Sequence, residues 1–172
     1  MTAVDRRWSE AMLALRTEPL DRVALVFDRF GRGVVRGATL AGVGLVLAHR
    51  RRWRGLGAFA AAEAATPLAV NAVKLLVDRD RPAAARVQPF GTSFPSGHAA
   101  YAGATTVALV LLASERRPAG PRLWTAAAAA TAGMAWSRTH LQAHWLTDVT
   151  AGALLGGGVS LGAFALFERR SR

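Results

Sequence analysis

The chain gathers its charges into short blocks, and between them run five apolar stretches, at residues 34–48, 55–77, 99–113, 123–136 and 146–167. None alternates apolar and polar residues as a half-buried strand does, and no fixed period repeats along the chain. Helices are the remaining reading. A bilayer core takes roughly 20 residues of helix, which the second and fifth runs supply outright. The other three reach that length with an added turn, since arginine stems snorkel and polar caps sit among headgroups. Alanine and glycine are abundant in the runs, and they favour close helix–helix approach in a membrane. The expected fold is all-α: a polytopic membrane bundle of about five transmembrane helices over 33–172, preceded by an amphipathic interfacial segment over 1–32. At 172 residues the two parts make one domain, 1–172.

Residues 4–30 read as one or two amphipathic helices, interrupted near Pro19 and ended by Gly31-Arg32-Gly33. Trp8, Ala11, Met12 and Leu15 share one face, as do Leu20, Val23, Phe27 and Phe30, with Arg6, Arg7, Arg16, Arg22 and Arg29 on the polar side. Such helices suit the plane of a membrane interface, apolar side down. With no apolar core ahead of a cleavage site, the segment is not a secretory leader. Arginine blocks at 49–54, 115–122 and 168–172 fall on one side of five spans, which the positive-inside rule makes cytoplasmic. The N-terminal helices and the loops at 78–94 and 137–144 then lie outside, with the C-terminus inside. Trp8, Trp53, Trp124, Trp136 and Trp145 all fall near the expected interfaces. The net charge of +11 flanks apolar runs instead of forming a stripe interleaved with aromatics, so the bilayer, and not nucleic acid, is the expected partner. There is no cysteine, hence no disulfide framework and no thiolate metal site.

The unusual polar residues converge on the outer side. Lys74 is the only lysine in the chain and ends the second run. Six residues intervene before Arg81-Pro82, where a guanidinium can offer two parallel donors to an oxyanion. Pro95-Ser96-Gly97-His98 opens the third helix. Backbone N–H groups there, with the Ser96 hydroxyl and close approach at Gly97, make an anion cradle, and His98 stands beside it to exchange a proton. The stretch 137–148 adds Ser137, Arg138, His144 and Asp148. If a helix begins near His144, Asp148 lies one turn on along the same face, able to hold one imidazole nitrogen and leave the other as an oriented nucleophile or base. Three cations, a helix N-terminus and two histidines match what phosphoryl transfer needs. No Asp/Glu cluster offers a hard-cation site and the histidines are too sparsely supported for zinc, so no metal and no other cofactor is expected.

The pattern Lys74-(six residues)-Arg81-Pro82, Pro95-Ser96-Gly97-His98, Ser137-Arg138-(five residues)-His144-(three residues)-Asp148 resembles the three-part signature of the type 2 phosphatidic acid phosphatase superfamily. That superfamily includes integral-membrane lipid phosphatases, soluble bacterial acid phosphatases and vanadium haloperoxidases. All three parts match in order, over residues 74–148. The resemblance implies His144 as the nucleophile, forming a phosphohistidine, with Asp148 orienting and polarising it. His98 would protonate the leaving oxygen and then activate water. Lys74, Arg81, Ser96, Gly97 and Arg138 would hold the phosphoryl oxygens. Membrane members commonly have six spans, and this chain reads as starting at the interfacial helix after the first, which puts any role of that first helix in substrate entry or dimerisation in doubt.

The expected activity is that of an integral-membrane lipid phosphatase on the outer face of a bacterial plasma membrane. Its substrate is expected to be a lipid phosphate or pyrophosphate: undecaprenyl pyrophosphate, phosphatidylglycerophosphate, phosphatidic acid or a polyprenyl-phosphate sugar phosphate. The alternatives are a soluble-type acid phosphatase or haloperoxidase, against which the long spans weigh, and an inactive lipid-binding scaffold, against which His98, His144 and Asp148 weigh. Assembly into a homo-oligomer stays open. His140 matches no signature position and reads as a polar contact. Glu63, a carboxylate inside the second run, is a functional candidate, a partner for Arg36 or an interhelical hydroxyl, or part of a wider cytoplasmic cavity. Asn71 is assigned to positioning Lys74. Asp78, Arg79, Asp80 and Arg86 are assigned as loop charges, with Arg79 and Arg86 as headgroup contacts. Headgroup reading is assigned to residues 83–94 and the N-terminal helices.

Overall fold

The computed structural model describes residues 2–87, 91–114 and 118–169, the last by its backbone only. Part of the expected outer loop (88–90) and parts of two arginine blocks (115–117 and 170–172) lie outside the described residues. Among those described there are seven helices and no strand: α1 (Ala3–Ala14), α2 (Glu18–Phe30), α3 (Gly33–His49), α4 (Trp53–Leu76), α5 (Gly97–Ala113), α6 (Pro121–His140) and α7 (Leu146–Arg169). The last five are the five apolar runs, each extended by a few residues.

Local chemistry sets the boundaries. Thr2 and Asp5 cap α1 reciprocally, each side chain bonded to the other's backbone N–H. Pro19 sits in the first turn of α2 and Pro121 in that of α6, where the missing N–H costs nothing. The Ser96 hydroxyl accepts from the Ala99 N–H to start α5. By length and apolarity α4 and α7 qualify singly as bilayer crossings, and α2 with α3 qualifies as a pair bent by 55°. Taken alone, α3, α5 and α6 do not qualify, because at 17 residues α3 and α5 are short and α6 is less apolar.

α5 is the central helix, packed on α4, α6 and α7; α7 also lies on α4, α2 lies on α6, and α1 touches α6 and α7. The α5–α7 contact is made backbone to backbone. A Cβ at Gly152 or Gly156 would collide with the carbonyl of Ser96 or Ala100, and one at Gly103 with the carbonyl of Ala153. Gly152 and Gly156 stand four apart on one face of α7, the small-residue spacing of close membrane helix pairs. The contact runs the two helices parallel and brings the starts of α5 and α7 together. Leu47, Phe59, Leu112 and Phe164 form an apolar cluster away from those starts.

The N-terminal helices form as expected, but their packing differs from the expectation. Of the apolar faces named above only Met12 is buried, with Trp8 and Phe27 partly so, while Leu15, Leu20, Val23 and Phe30 are exposed. The groups turned inward are Asp5, Asp21 and Asp28, all buried. The reason is electrostatic: arginines and a histidine at this end of the bundle need carboxylate partners.

Gly156→Val should lower the melting temperature of the detergent-solubilised protein by well over 5 °C, since overpacking typically costs about 1–3 kcal/mol and here a main-chain oxygen blocks the way. Gly158→Ala, where nothing lies within 4 Å of the added Cβ, should leave it unchanged or slightly raised. Equal melting of the two variants would contradict the packing described.

Candidate active site

Segment 91–93, between α4 and α5, is the hub of the polar end. Gly91 has a φ of 69°, which glycine adopts freely. The carbonyls that follow are exposed to the cations around them. Lys74 Nζ donates to Thr92 O at 2.5 Å. Arg81 donates from Nε to Gly91 O (2.9 Å), from Nη2 to Thr92 O (2.9 Å) and from Nη1 to Ala143 O (2.8 Å). Asn71, assigned above to positioning Lys74, is exposed, and the lysine is held by the Thr92 carbonyl instead.

His144 lies 2.7 Å from Ser93 O through Nδ1. A carbonyl only accepts, so Nδ1 carries the proton and Nε2 keeps its lone pair. Arg81 Nη1 stands 3.1 Å from that Nε2 and donates to it. This differs from the expected dyad. The helix begins at Leu146 and not at His144, so the imidazole sits in the preceding loop. Asp148 Oδ2 is 3.6 Å from Nδ1, outside hydrogen-bond reach. The carboxylate is satisfied elsewhere, by Arg79 Nη1, Ser93 Oγ and the Trp145 N–H. Asp148 therefore acts on His144 by its charge and through Ser93, the residue whose carbonyl holds the ring.

Burial lowers the His144 pKa to about 4; the Asp148 carboxylate opposes the shift and the Arg81 and Arg138 guanidiniums reinforce it. The ring is 4% exposed and neutral at ordinary pH.

Ser96 is fully buried, and its N–H donates to the Asp148 carbonyl at 3.0 Å, tying the start of α5 to the start of α7. Gly97 is the first residue of α5. His98 Nε2 is 3.5 Å from Asp28 Oδ1, and Gly31 leaves room for the ring, since a Cβ there would strike it. Arg138 Nη1 is paired with Asp28 Oδ1, whose other oxygen accepts from Arg32 Nε at 2.6 Å. Three buried polar atoms around His144 have no hydrogen-bond partner among the described residues: Thr92 Oγ1, His98 Nε2 and Arg138 Nε. Each such atom costs about 1–3 kcal/mol when left unpaired. At this end of the bundle these three atoms can each take a hydrogen bond from or to a polar ligand.

A model of the PAP2 superfamily matches residues 55–172. The chain belongs to the PAP2 superfamily. Two solved structures share its fold. One is described as the first transmembrane PAP2 type phosphatidylglycerolphosphate phosphatase from Bacillus subtilis, 23% identical, covering 96% of this chain and 85% of that one at a TM-score of 0.83. The other is LpxE of Aquifex aeolicus, 20% identical, covering 95% and 96% at a TM-score of 0.79. No curated protein sequence matches it. As a PAP2 member the chain shares its all-helical fold with both structures.

The eight signature residues named from the sequence all fall within the PAP2 match, and all lie at one end of the bundle. Several residues bearing on them were not foreseen. Arg79, read as a loop charge, is half-buried and joins Asp148 to Asp5, donating to Asp5 Oδ2 at 2.6 Å. Asp5 also accepts from the N–H and hydroxyl of Thr147 (3.0 and 2.9 Å). Burial alone would raise the Asp5 pKa; the bonds from Thr147, Arg79 and Thr2 overcome it and hold the carboxyl well below its usual range. Arg86 pairs with Asp21, which also meets His140 Nε2 at 2.9 Å; His140 stacks on Trp136 at 5.0 Å and makes a structural contact, as read. Ser137, grouped above with the phosphate-chemistry residues, donates to the Ala24 carbonyl (2.7 Å) and ties α6 to α2. Asp21 and Asp28, seven residues apart on one helical face, were the available signal. A row of carboxylates on an amphipathic segment whose other charges are mostly arginines was the feature to weigh.

Because His144 is neutral when folded and takes up a proton near pH 6.5 when unfolded, the unfolded state binds more protons between about pH 4 and 6.5. Stability is therefore lost as pH falls through that window, by about 3 kcal/mol from this residue. His144→Gln should flatten the fall in melting temperature between pH 6.5 and 4 measured in detergent. An unaltered slope would contradict a buried neutral imidazole.

Proposed function

We propose that the protein dephosphorylates a lipid phosphate or pyrophosphate at the outer face of a bacterial plasma membrane, through a phosphohistidine on His144. The observation that carries this is the state of the ring: Nδ1 is bound to a backbone carbonyl, which leaves Nε2 as a lone pair beside Arg81. Lys74, Arg81 and Arg138, with the Ser96 hydroxyl and the Gly97 N–H, take the three phosphoryl oxygens; Arg81 exchanges loop carbonyls for phosphate. Nε2 attacks phosphorus, the bond to the lipid oxygen breaks, and His98 gives its proton to that oxygen. His98, now neutral, removes a proton from water; the hydroxide attacks the phosphohistidine, the P–N bond breaks, and inorganic phosphate leaves. Asp28 Oδ1 lies 3.5 Å from His98 Nε2.

The site lies at the bundle end away from the arginine block at 49–54, which supports the extracytoplasmic assignment by the positive-inside rule. In that reading all five helices α3–α7 cross the bilayer, the shorter ones reaching its faces through their polar ends. Residues 1–32 lie along the interface with Leu15, Leu20, Val23 and Phe30 toward lipid, and with 33–172 they form one domain. Phosphatidylglycerophosphate, phosphatidic acid, undecaprenyl pyrophosphate and a polyprenyl-phosphate sugar phosphate are the candidate substrates; the Bacillus subtilis structure is described as a phosphatase of the first.

His144→Ala should cut phosphate release by at least about 10³-fold while the protein still extracts from membranes and elutes like wild type. Activity should persist in EDTA, since protein cations neutralise the transferring group, and orthovanadate should inhibit. Full activity of the alanine variant, or a strict need for Mg²⁺, would overturn the mechanism.

A further inference from the structure

Below His98 the bundle is open on one side. α3 packs on α2 and α4, and α6 on α5. Between α3 and α6 a cavity of about 240 Å³ runs along α5 from His98, past Tyr101, to Thr105 and Thr106. Its walls are mostly apolar, with Phe30, Leu40 and Met134 among them. One charged side chain enters it. Arg36 lines the cavity, with its guanidinium carbon 4.1 Å from the centre of the Tyr101 ring.

Arg36 is neutralised and held. Its Nη2 donates to Glu63 Oε2 at 2.7 Å, and the other Glu63 oxygen accepts from Thr105 Oγ1 at 2.6 Å. One carboxylate on α4 thus fixes side chains of α3 and α5. Among its other donors Arg36 Nε is buried and without a hydrogen-bond partner among the described residues. Tyr101 and Thr105 follow His98 by three and seven residues, roughly 4.5 and 10.5 Å along the helix axis. A donor at that depth meets the part of a substrate just beyond the oxygen that His98 protonates.

We propose that Arg36, set in place by Glu63, is a second substrate contact that donates through Nε to a neutral oxygen on the leaving-alcohol side of the lipid phosphate. This rests on the assignment of His144 and His98 above and narrows its substrate class. The Arg36–Glu63 pair carries no net charge, so it suits an ester carbonyl or a sugar oxygen and not a second phosphate, which the Glu63 carboxylate would repel. An isoprenyl chain has no acceptor to offer and would leave Nε unpaired in an apolar wall. The preferred substrate therefore carries oxygen a few bonds beyond the scissile one, in a glycerol ester or a sugar, and isoprenyl mono- and diphosphates are poorer.

The test measures kcat/KM for phosphate release by the full chain in detergent from dioleoyl phosphatidic acid, an alkyl glucoside 6-phosphate and farnesyl phosphate. Wild type should favour at least one oxygenated substrate over farnesyl phosphate by about tenfold or more, the worth of one hydrogen bond to a charged donor. Which one leads tells glycerol ester from sugar. Arg36→Met combined with Glu63→Gln, which removes both charges together, should bring that ratio toward one. Equal or reversed preference in wild type overturns the proposal whether or not the variant folds. So does an unchanged ratio in a variant with native elution and melting. Release that survives His144→Ala, or no release from any of the three, is a different pattern and overturns the mechanism together with the proposal.

Discussion

Buried charge has to be matched, and at the polar end of this bundle the matching is done by helices that are not part of its apolar core. Arg138 is held where water cannot solvate it and Arg79 where water reaches only part of it, and Asp5 and Asp28 reach across from α1 and α2 to meet them. Removing one partner from such a pair costs about 3–5 kcal/mol, because the survivor is left charged and unpaired. The first two helices therefore complete the electrostatics of the site as well as covering it. Most of their large apolar residues face outward because their acids are committed inward.

Within that frame the geometry of His144 is fixed mostly by main chain. Ser93 O orients the ring, Arg138 O accepts from the His144 N–H, and Ser96 N–H bonds the Asp148 carbonyl. Backbone groups move less than side chains, and the glycines between α5 and α7 bring the backbones that carry them into direct contact. The side chains with freedom to respond to a ligand are the cations. Lys74 and Arg81 rest on the carbonyls of Gly91 and Thr92, which a phosphate can replace as acceptor.

Much of this was legible in the sequence. Apolar runs bounded by charge gave α3–α7 to within a few residues at most ends, since capping and proline chemistry act locally. The cations and histidines of the site stood out because they interrupt those runs. What stayed hidden was pairing over long sequence separation. Nothing local marks Asp28 as the partner of Arg138, or Arg79 as the link between Asp5 and Asp148. An amphipathic helix shows that it has two faces without showing which one the protein wants. The one-turn His–Asp spacing was legible too, yet it suggested a hydrogen bond that the helix start at Leu146 replaces with a contact through Ser93. Glu63 gave a choice of Arg36 or an interhelical hydroxyl, and the structure uses both.

The contacts of Asp5 tie the site to the order in which the chain is made. Asp5 bonds to Arg79 and to Thr147, which lies 142 positions later. Until α7 has emerged, α1 lacks its Thr147 contact and Arg79 lacks one of its two carboxylates, Asp148. α1 is thus made before the partners that hold it, and the polar end of the bundle closes only when α7 is in place. A chain stalled in mid-insertion would expose an open, unbalanced cluster of arginines to the headgroups around it, and no working centre.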